Sequence, residues 1–156
     1  MILDSTKTDL NHLLDWRHRC HGTVVFTNGC FDVLHIGHVR LLNECRHLAG
    51  DDGMLVVGLN SDLSIRQLKG PDRPVNRQDF RSEMLVNLKA DPIVIVFDEL
   101  TPRGLVDALD PDVVVKGSEY PSDMIIKNRN ARVHRVEMVP GLSTSKIICA
   151  LRIEDA

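Results

Sequence analysis

No run of apolar residues approaches the roughly 20 needed to cross a bilayer. The N-terminus carries no apolar stretch of the kind that leads a chain into export. A cytoplasmic protein with no membrane partner is therefore the expectation. Basic residues are not in excess: 19 Lys and Arg stand against 22 Asp and Glu, a net charge of -3. The surface field that draws a protein to nucleic acid is thus missing. Cysteine is sparse, and Cys20, Cys30, Cys45 and Cys149 form no C-x-x-C pair, as is usual for buried free thiols in a reducing compartment. Cys30, His35 and His38 lie close in sequence, but three ligands without a paired partner make a weak zinc site. The G-x-x-x-x-G-K-[ST] phosphate loop, the G-x-G-x-x-G fingerprint and the G-x-S-x-G elbow are absent too, which removes the usual ATPase, dehydrogenase and hydrolase readings.

What is present reads as one compact domain over residues 1–156, an ordinary length for a single core. Leu10, Leu13, Leu14 and Arg17 recur at helical spacing and predict a helix over about 9–21; the core follows over about 23–151. Short apolar runs at 23–27, 54–59, 93–97, 113–115 and 132–136 have the character of strands buried on both faces. Helical patterns lie between them at 37–49, 61–68, 76–89 and 102–109, and a last helix starts at Ser143. Asn76 is the expected cap of the third of these, and the Pro- and Gly-bearing stretch 69–75 reads as a loop. Strands alternating with helices imply right-handed crossovers. The expected fold is α/β, a single Rossmann-like domain with a parallel, about five-stranded sheet covered on both faces.

In such sheets ligands bind beyond the carboxyl ends of the strands, and the unusual residues of this sequence fall there. After the first predicted strand come Asn28, Gly29, Cys30, Phe31 and Asp32, then His35-Ile36-Gly37-His38 at a helix mouth. After 113–115 come Lys116, Gly117, Ser118, Glu119 and Tyr120; after 132–136 come Gly141, Leu142, Ser143, Thr144 and Ser145. His35 and His38, three apart at a helix start, project on one side. Gly37 between them opens the backbone amides to a polyphosphate, and two imidazoles there can donate to phosphate oxygens as charge develops. The alternative is that His38 simply packs with Leu41 and Leu42. On the helix over 76–89, Phe80, Met84, Leu85 and Leu88 define a buried arc, and Arg81 projects into it. A buried guanidinium needs an anion, either a structural carboxylate or, the preferred reading, a ligand phosphate. Lys69 has the reach of a phosphate clamp or is an ordinary surface lysine. Ser143, Thr144 and Ser145 make either an N-cap or an anion cradle. Lys116 ends a buried strand, where a charge needs a reason, and Tyr120 packs either a base or the fold.

Gly29-Cys30-Phe31-Asp32 followed by His35-Ile36-Gly37-His38, with Ser143-Thr144-Ser145-Lys146 near the C-terminus, resembles the two signatures of the H-x-G-H nucleotidyltransferases, the cytidylyltransferase-like superfamily. Class I aminoacyl-tRNA synthetases share the histidine motif but are far longer. Within the superfamily the sequence is most similar to the adenylyltransferases that make ADP-heptose from D-glycero-β-D-manno-heptose 1-phosphate. The similarity rests on residues 25–32, 59–62, 68–71, 73–76, 111–117 and 141–145, and runs from about residue 10 to 151. Many of those enzymes carry a fused sugar-kinase domain, and this sequence resembles the stand-alone form. It departs from the pattern at Gly117-Ser118-Glu119-Tyr120, where that group commonly has Gly-Gly-Asp-Tyr, and over 121–132.

The resemblance implies transfer of AMP from ATP to a sugar 1-phosphate by in-line attack on the α-phosphorus, with release of pyrophosphate. It gives His35 and His38 the task of holding the triphosphate. Lys69 and Arg81 clamp phosphates, Ser143 and Thr144 bind the β/γ end, and Asn28, Gly29, Cys30, Phe31, Asp32, Gly37, Arg73, Lys116, Gly117, Glu119, Tyr120 and Ser145 complete the nucleotide and substrate site. Asp32 either orients the loop or reaches a metal. Magnesium is implied, held mainly by phosphates and water rather than by protein ligands. A homodimer and a place in lipopolysaccharide or surface-glycan assembly are implied as well. The competing readings are a CTP-dependent cytidylyltransferase for glycerol 3-phosphate or a related alcohol phosphate, a cofactor adenylyltransferase acting on a flavin mononucleotide, and a nucleotide-binding sensor without turnover.

Overall fold

Runs of β-branched and other apolar residues build the centre of the molecule, because only a strand with both faces covered tolerates near-continuous Val, Leu and Ile. The computed structural model describes residues 1–4, 10–121, 125–128, 130–137 and 139–153. The elements run β1 (Ile2–Asp4), α1 (Leu10–Arg19), β2 (Val24–Gly29), α2 (Ile36–Ala49), β3 (Met54–Asn60), α3 (Asp62–Lys69), α4 (Gln78–Val86), β4 (Ile93–Phe97), α5 (Arg103–Leu109), β5 (Val113–Gly117), β6 (Arg132–Val136) and α6 (Thr144–Ile153). The strands form one six-stranded sheet in the order β1-β4-β3-β2-β5-β6, and each neighbouring pair is parallel.

Alternation along the strands sorts two cores. Val25, Val57 and Val94 meet Leu41, Leu42 and Cys45 of α2 and Leu85 of α4 on one face. Val24, Phe26, Val56 and Ile95 meet Leu13 of α1 and Leu105, Val106 and Leu109 of α5 on the other. The sheet thus has helices on both sides, and its strand order reverses between β2 and β5, the central pair from which the chain winds outward in both directions. That reversal opens a crevice at the carboxyl end of the sheet.

Three expectations change. The sheet has six strands rather than five: Ile2–Asp4 is too short for any periodicity to announce it, and it becomes a strand only by pairing with Val94–Val96 of β4. α4 is shorter than 76–89, and Asn76 is not its cap. Arg77 occupies that position without a side-chain cap bond, while Asn76 gives its amides to Asp32. The buried arc of α4 is Arg81, Ser82 and Leu85, whereas Phe80 is exposed with the Arg77 guanidinium 5.9 Å from its ring centroid. Among the described residues no helix is long and apolar enough to cross a membrane.

Candidate active site

A cavity of about 480 Å³ opens at the carboxyl ends of β2 and β5. Its walls take Asn28, Gly29, Cys30, Phe31 and Asp32 from the end of β2 and the turn after it, Gly37 and His38 from α2, and Lys69 and Arg73 from the α3–α4 connection. Lys116, Gly117, Glu119 and Tyr120 come from the end of β5, and Thr144 from α6. Fourteen of the residues singled out in the sequence therefore share one cavity. His35, Arg81, Ser143 and Ser145 do not line it. Thr27, Asn60, Leu68, Leu100, Thr101, Pro102 and Ile126 also line it without having been named as candidates. Thr101 and Pro102 follow β4 at the same edge of the sheet, so the strand-end rule that found the others would have found them too.

The histidine pair is locked by its own helix mouth. His35 is the N-cap of α2, and its Nδ1 accepts from the Gly37 amide at 3.2 Å. His38 Nδ1 accepts from the His35 amide at 3.3 Å, which closes a reciprocal capping box. The rings stack with centroids 3.9 Å apart, and the Phe31 ring lies 5.1 Å from His38. Because each Nδ1 accepts, the neutral rings must carry their proton on Nε2. Burial lowers the pKa of His35. Burial, and then positive charge on His35 and Lys69, pushes His38 down to about 4. At neutral pH the pair thus offers two neutral N–H donors beside the amides and positive dipole of a helix N-terminus.

Asp32 organises the opposite side of the loop. It is 1% exposed, and accepts from Arg73 Nε at 2.7 Å and from the Val75 and Asn76 amides at 2.8 and 2.9 Å. Asn76 Nδ2 donates to its carbonyl at 2.6 Å. Burial alone would raise its pKa, but the Asn76 and Val75 amides and the Arg73 guanidinium overcome that and hold it below the usual carboxylate range. Of the two roles left open for Asp32, orienting the loop is the one these bonds perform. Among the described residues the buried Arg73 Nη2 has no partner.

Arg81 meets protein rather than an open crevice. It is fully buried, and its guanidinium donates to the carbonyls of Asn76 (2.9 Å), Cys30 (2.6 Å) and Asn60 (2.8 Å) and to Asp62 Oδ1 (2.8 Å). The anion that this buried cation meets is the structural carboxylate of Asp62, not a ligand phosphate, so Arg81 is not the phosphate clamp that was expected. The side chain staples the ends of β2 and β3 to the starts of α3 and α4. Lys69, expected in the loop, is the last residue of α3 and is exposed at the cavity rim. Ser143 Oγ accepts from the Lys146 amide at 3.3 Å, the N-cap role, whereas Thr144 Oγ1 donates to the Val33 carbonyl at 3.1 Å and ties α6 to the histidine loop. Ser145 is exposed. All four cysteines are free thiols, and burial raises Cys45 to about 12. Among the described residues no three His, Cys, Asp or Glu side chains cluster as metal ligands.

Comparison with known proteins bears on this geometry. The bifunctional protein HldE of Syntrophotalea carbinolica is 45% identical over 147 residues, 91% of this chain and 29% of that protein. Its counterpart from Methylobacillus flagellatus is 45% identical over 144 residues, 89% of this chain and 29% of that one. The chain therefore spans about 29% of the length of these curated relatives. Among solved structures, the lipopolysaccharide core biosynthesis protein from Thermoplasma volcanium GSS1 is similar with a TM-score of 0.61 and 25% identity, over 76% of this chain and 98% of that one. A family model described as cytidylyltransferase-like matches residues 26–150, a span that includes both helix mouths, at His38 and at Thr144, on the cavity wall. By that match the chain belongs to the cytidylyltransferase-like family.

Proposed function

We propose that this chain is an adenylyltransferase that moves AMP from ATP to a sugar 1-phosphate, D-glycero-β-D-manno-heptose 1-phosphate, giving ADP-heptose and pyrophosphate. The observation that carries the reading is the neutral Nε2–H imidazole of His38 at the mouth of α2, stacked on that of His35, in a cavity that also receives Thr144 from the mouth of α6. Two helix N-termini with neutral and hydroxyl donors suit a polyanion whose charge grows during reaction. Family membership and similarity to HldE proteins agree with nucleotidyl transfer, and the likeness of Lys69-Gly70-Pro71 and Arg73-Pro74-Val75-Asn76 to the ADP-heptose-forming group supports the heptose phosphate as acceptor.

A phosphate oxygen of the acceptor attacks the α-phosphorus in line, and the bond to the bridging oxygen breaks, so that pyrophosphate departs with no covalent enzyme intermediate. His38, braced by His35, donates to the triphosphate; Lys69 and Arg73 approach phosphate oxygens from the α3–α4 side; Ser143 and Thr144 lie at the mouth that takes the β/γ end. Catalysis is positioning and charge stabilisation. Magnesium would be held mainly by the phosphates of ATP and water, and would offset the charge of the triphosphate. Asp32 does not take it, because both of its oxygens are engaged by Arg73, Val75 and Asn76. The enzyme works as a homodimer in the cytoplasm, which light scattering and fractionation test.

Incubation with ATP, magnesium and D-glycero-β-D-manno-heptose 1-phosphate is expected to release pyrophosphate. Absence of release above background overturns the reading. Replacing ATP by CTP is expected to abolish turnover, and a CTP preference would transfer the assignment to a cytidylyltransferase.

A further inference from the structure

Among the described residues three positions other than glycine have a positive φ: Phe31 at 45°, Asp91 at 45° and Asp110 at 46°. Aspartate tolerates the left-handed region because its short side chain bonds locally. A bulky phenylalanine does not, and glycine is the residue that sits there without strain. Scaffold bonds on both sides keep Phe31 in that conformation. The Cys30 carbonyl before it accepts from Arg81 at 2.6 Å, and the Asp32 carboxylate after it accepts from Arg73, Val75 and Asn76. These bonds explain how the strain is held, not why a phenylalanine bears it. Backbone outliers of this kind gather at active sites, so the side chain needs a reason.

The ring supplies it. Phe31 is 4% exposed and shares its apolar cluster with Leu41 and Leu42 of α2, a role that an aliphatic side chain would also fill. What only an aromatic ring brings is the contact with His38, centroids 5.1 Å apart and planes at 53°, the tilted arrangement that ring pairs favour. A Cβ at Gly29 would stand 3.2 Å from Cε2 of the ring, so glycine there leaves the ring its place. His38 Nδ1 is anchored by the His35 amide at 3.3 Å, and the His38 ring stacks on that of His35 at 3.9 Å. One hydrogen bond fixes a point and not a plane, because the terminal torsion of a histidine is broad. The His35 ring is itself only half-buried. Phe31, buried and held by its backbone on both sides, is the rigid member of the three.

We propose that Phe31 is a positioning residue, whose ring fixes the plane of the His38 imidazole and with it the direction in which Nε2–H donates. This rests on the reading of His38 as a donor to the triphosphate and adds what aims it; a small misdirection of such a donor is enough to slow a reaction that depends on positioning. The test is a double-mutant cycle on the full chain with Phe31→Leu, which keeps the apolar bulk, His38→Ala, and the two together. Phe31→Leu alone is expected to lower kcat/KM for ATP tenfold or more. In the His38→Ala background it is expected to change the residual rate by no more than about twofold, since nothing is left to aim. A tenfold loss that recurs in full in that background would mean that the ring touches a ligand or only holds the fold, and would overturn the proposal. A second readout needs no substrate: the His38 imidazole followed by NMR. Its pKa is about 4 in the wild type, and in Phe31→Leu it is expected to climb by at least one unit toward the ordinary 6.5 as the freed ring meets water. An imidazole titration identical to wild type would overturn the proposal as well. If Phe31→Leu does not fold, Phe31→Gly, which suits the left-handed backbone, decides by the same two measurements. If His38→Ala leaves no measurable rate, the imidazole titration decides alone. A wild type inert with every sugar phosphate removes the adenylyltransferase reading, and the titration still decides whether Phe31 holds His38.

Discussion

Replacing Arg81 by lysine keeps the charge and discards the geometry. The guanidinium meets carbonyls of Cys30, Asn60 and Asn76 and the Asp62 carboxylate from fixed directions at 2.6–2.9 Å. One ammonium cannot reach all four. Each buried carbonyl left without a donor costs about 1–3 kcal/mol before relaxation absorbs part of it. A net loss of about 3–5 kcal/mol is expected. For a chain of this size, about 2–4 °C per kcal/mol turns that into a fall in Tm of roughly 6–20 °C. Calorimetry reads the fall directly. Kinetics at a temperature where the variant stays folded are expected to show a smaller change, transmitted through the carbonyl of Cys30 and the start of α3. A variant whose Tm stays within about 3 °C of wild type while kcat/KM falls tenfold or more would refute this reasoning, since the guanidinium would then be serving a ligand.

The His38→Ala variant is expected to lose turnover by orders of magnitude while circular dichroism stays native. The lost cap on the His35 amide costs only about 1 kcal/mol, and unchanged pyrophosphate release would remove the histidine from the chemistry. Stability is expected to fall as pH drops from 6.5 toward 4. His38 is held at about 4 in the fold, so over that window the unfolded chain binds the proton that the native chain refuses, and stability declines by about 2 kcal/mol at pH 5. Asp32, with its lowered pKa, contributes a further loss only below its ordinary 3.8. Urea melts at pH 7 and pH 5 that coincide would contradict the His38 assignment. Asp32→Asn breaks the Arg73 pair and the double amide acceptor, so a loss of about 3–5 kcal/mol is expected, together with faster proteolysis across residues 70–77. A loss under 1 kcal/mol would show the pair to be dispensable.

Much of this was legible in the sequence because it depends on local order. Strand runs, helix periods and the position of polar residues just past each strand place fourteen candidates on one cavity. What was illegible depends on distant partners. Ile2–Asp4 is a strand only because β4 lies beside it. Asn76 has the local character of a helix cap, yet Asp32, 44 positions away, takes its side chain and its amide. Arg81 shows the same limit from the other side. Its burial followed from helix phase, but the choice between a ligand phosphate and Asp62 turned on where β3 ends and α3 begins.

Partnering separates scaffold from site here better than residue type does. Asp32 and Arg81 are ionised and buried, and neither is free to act, because internal donors and acceptors are committed to both. Each fixes a loop at the carboxyl edge of the sheet. At the same edge Arg73 Nη2 is buried with no partner among the described residues, and Lys116 Nζ has one hydrogen bond for its three donors, to the Asn28 carbonyl. Burying such donors without partners lowers stability, and a folded chain keeps them only where something else binds. The arrangement is therefore preorganised in both senses: committed groups hold the walls still, so that uncommitted ones need no rearrangement when charge develops on a phosphate between them.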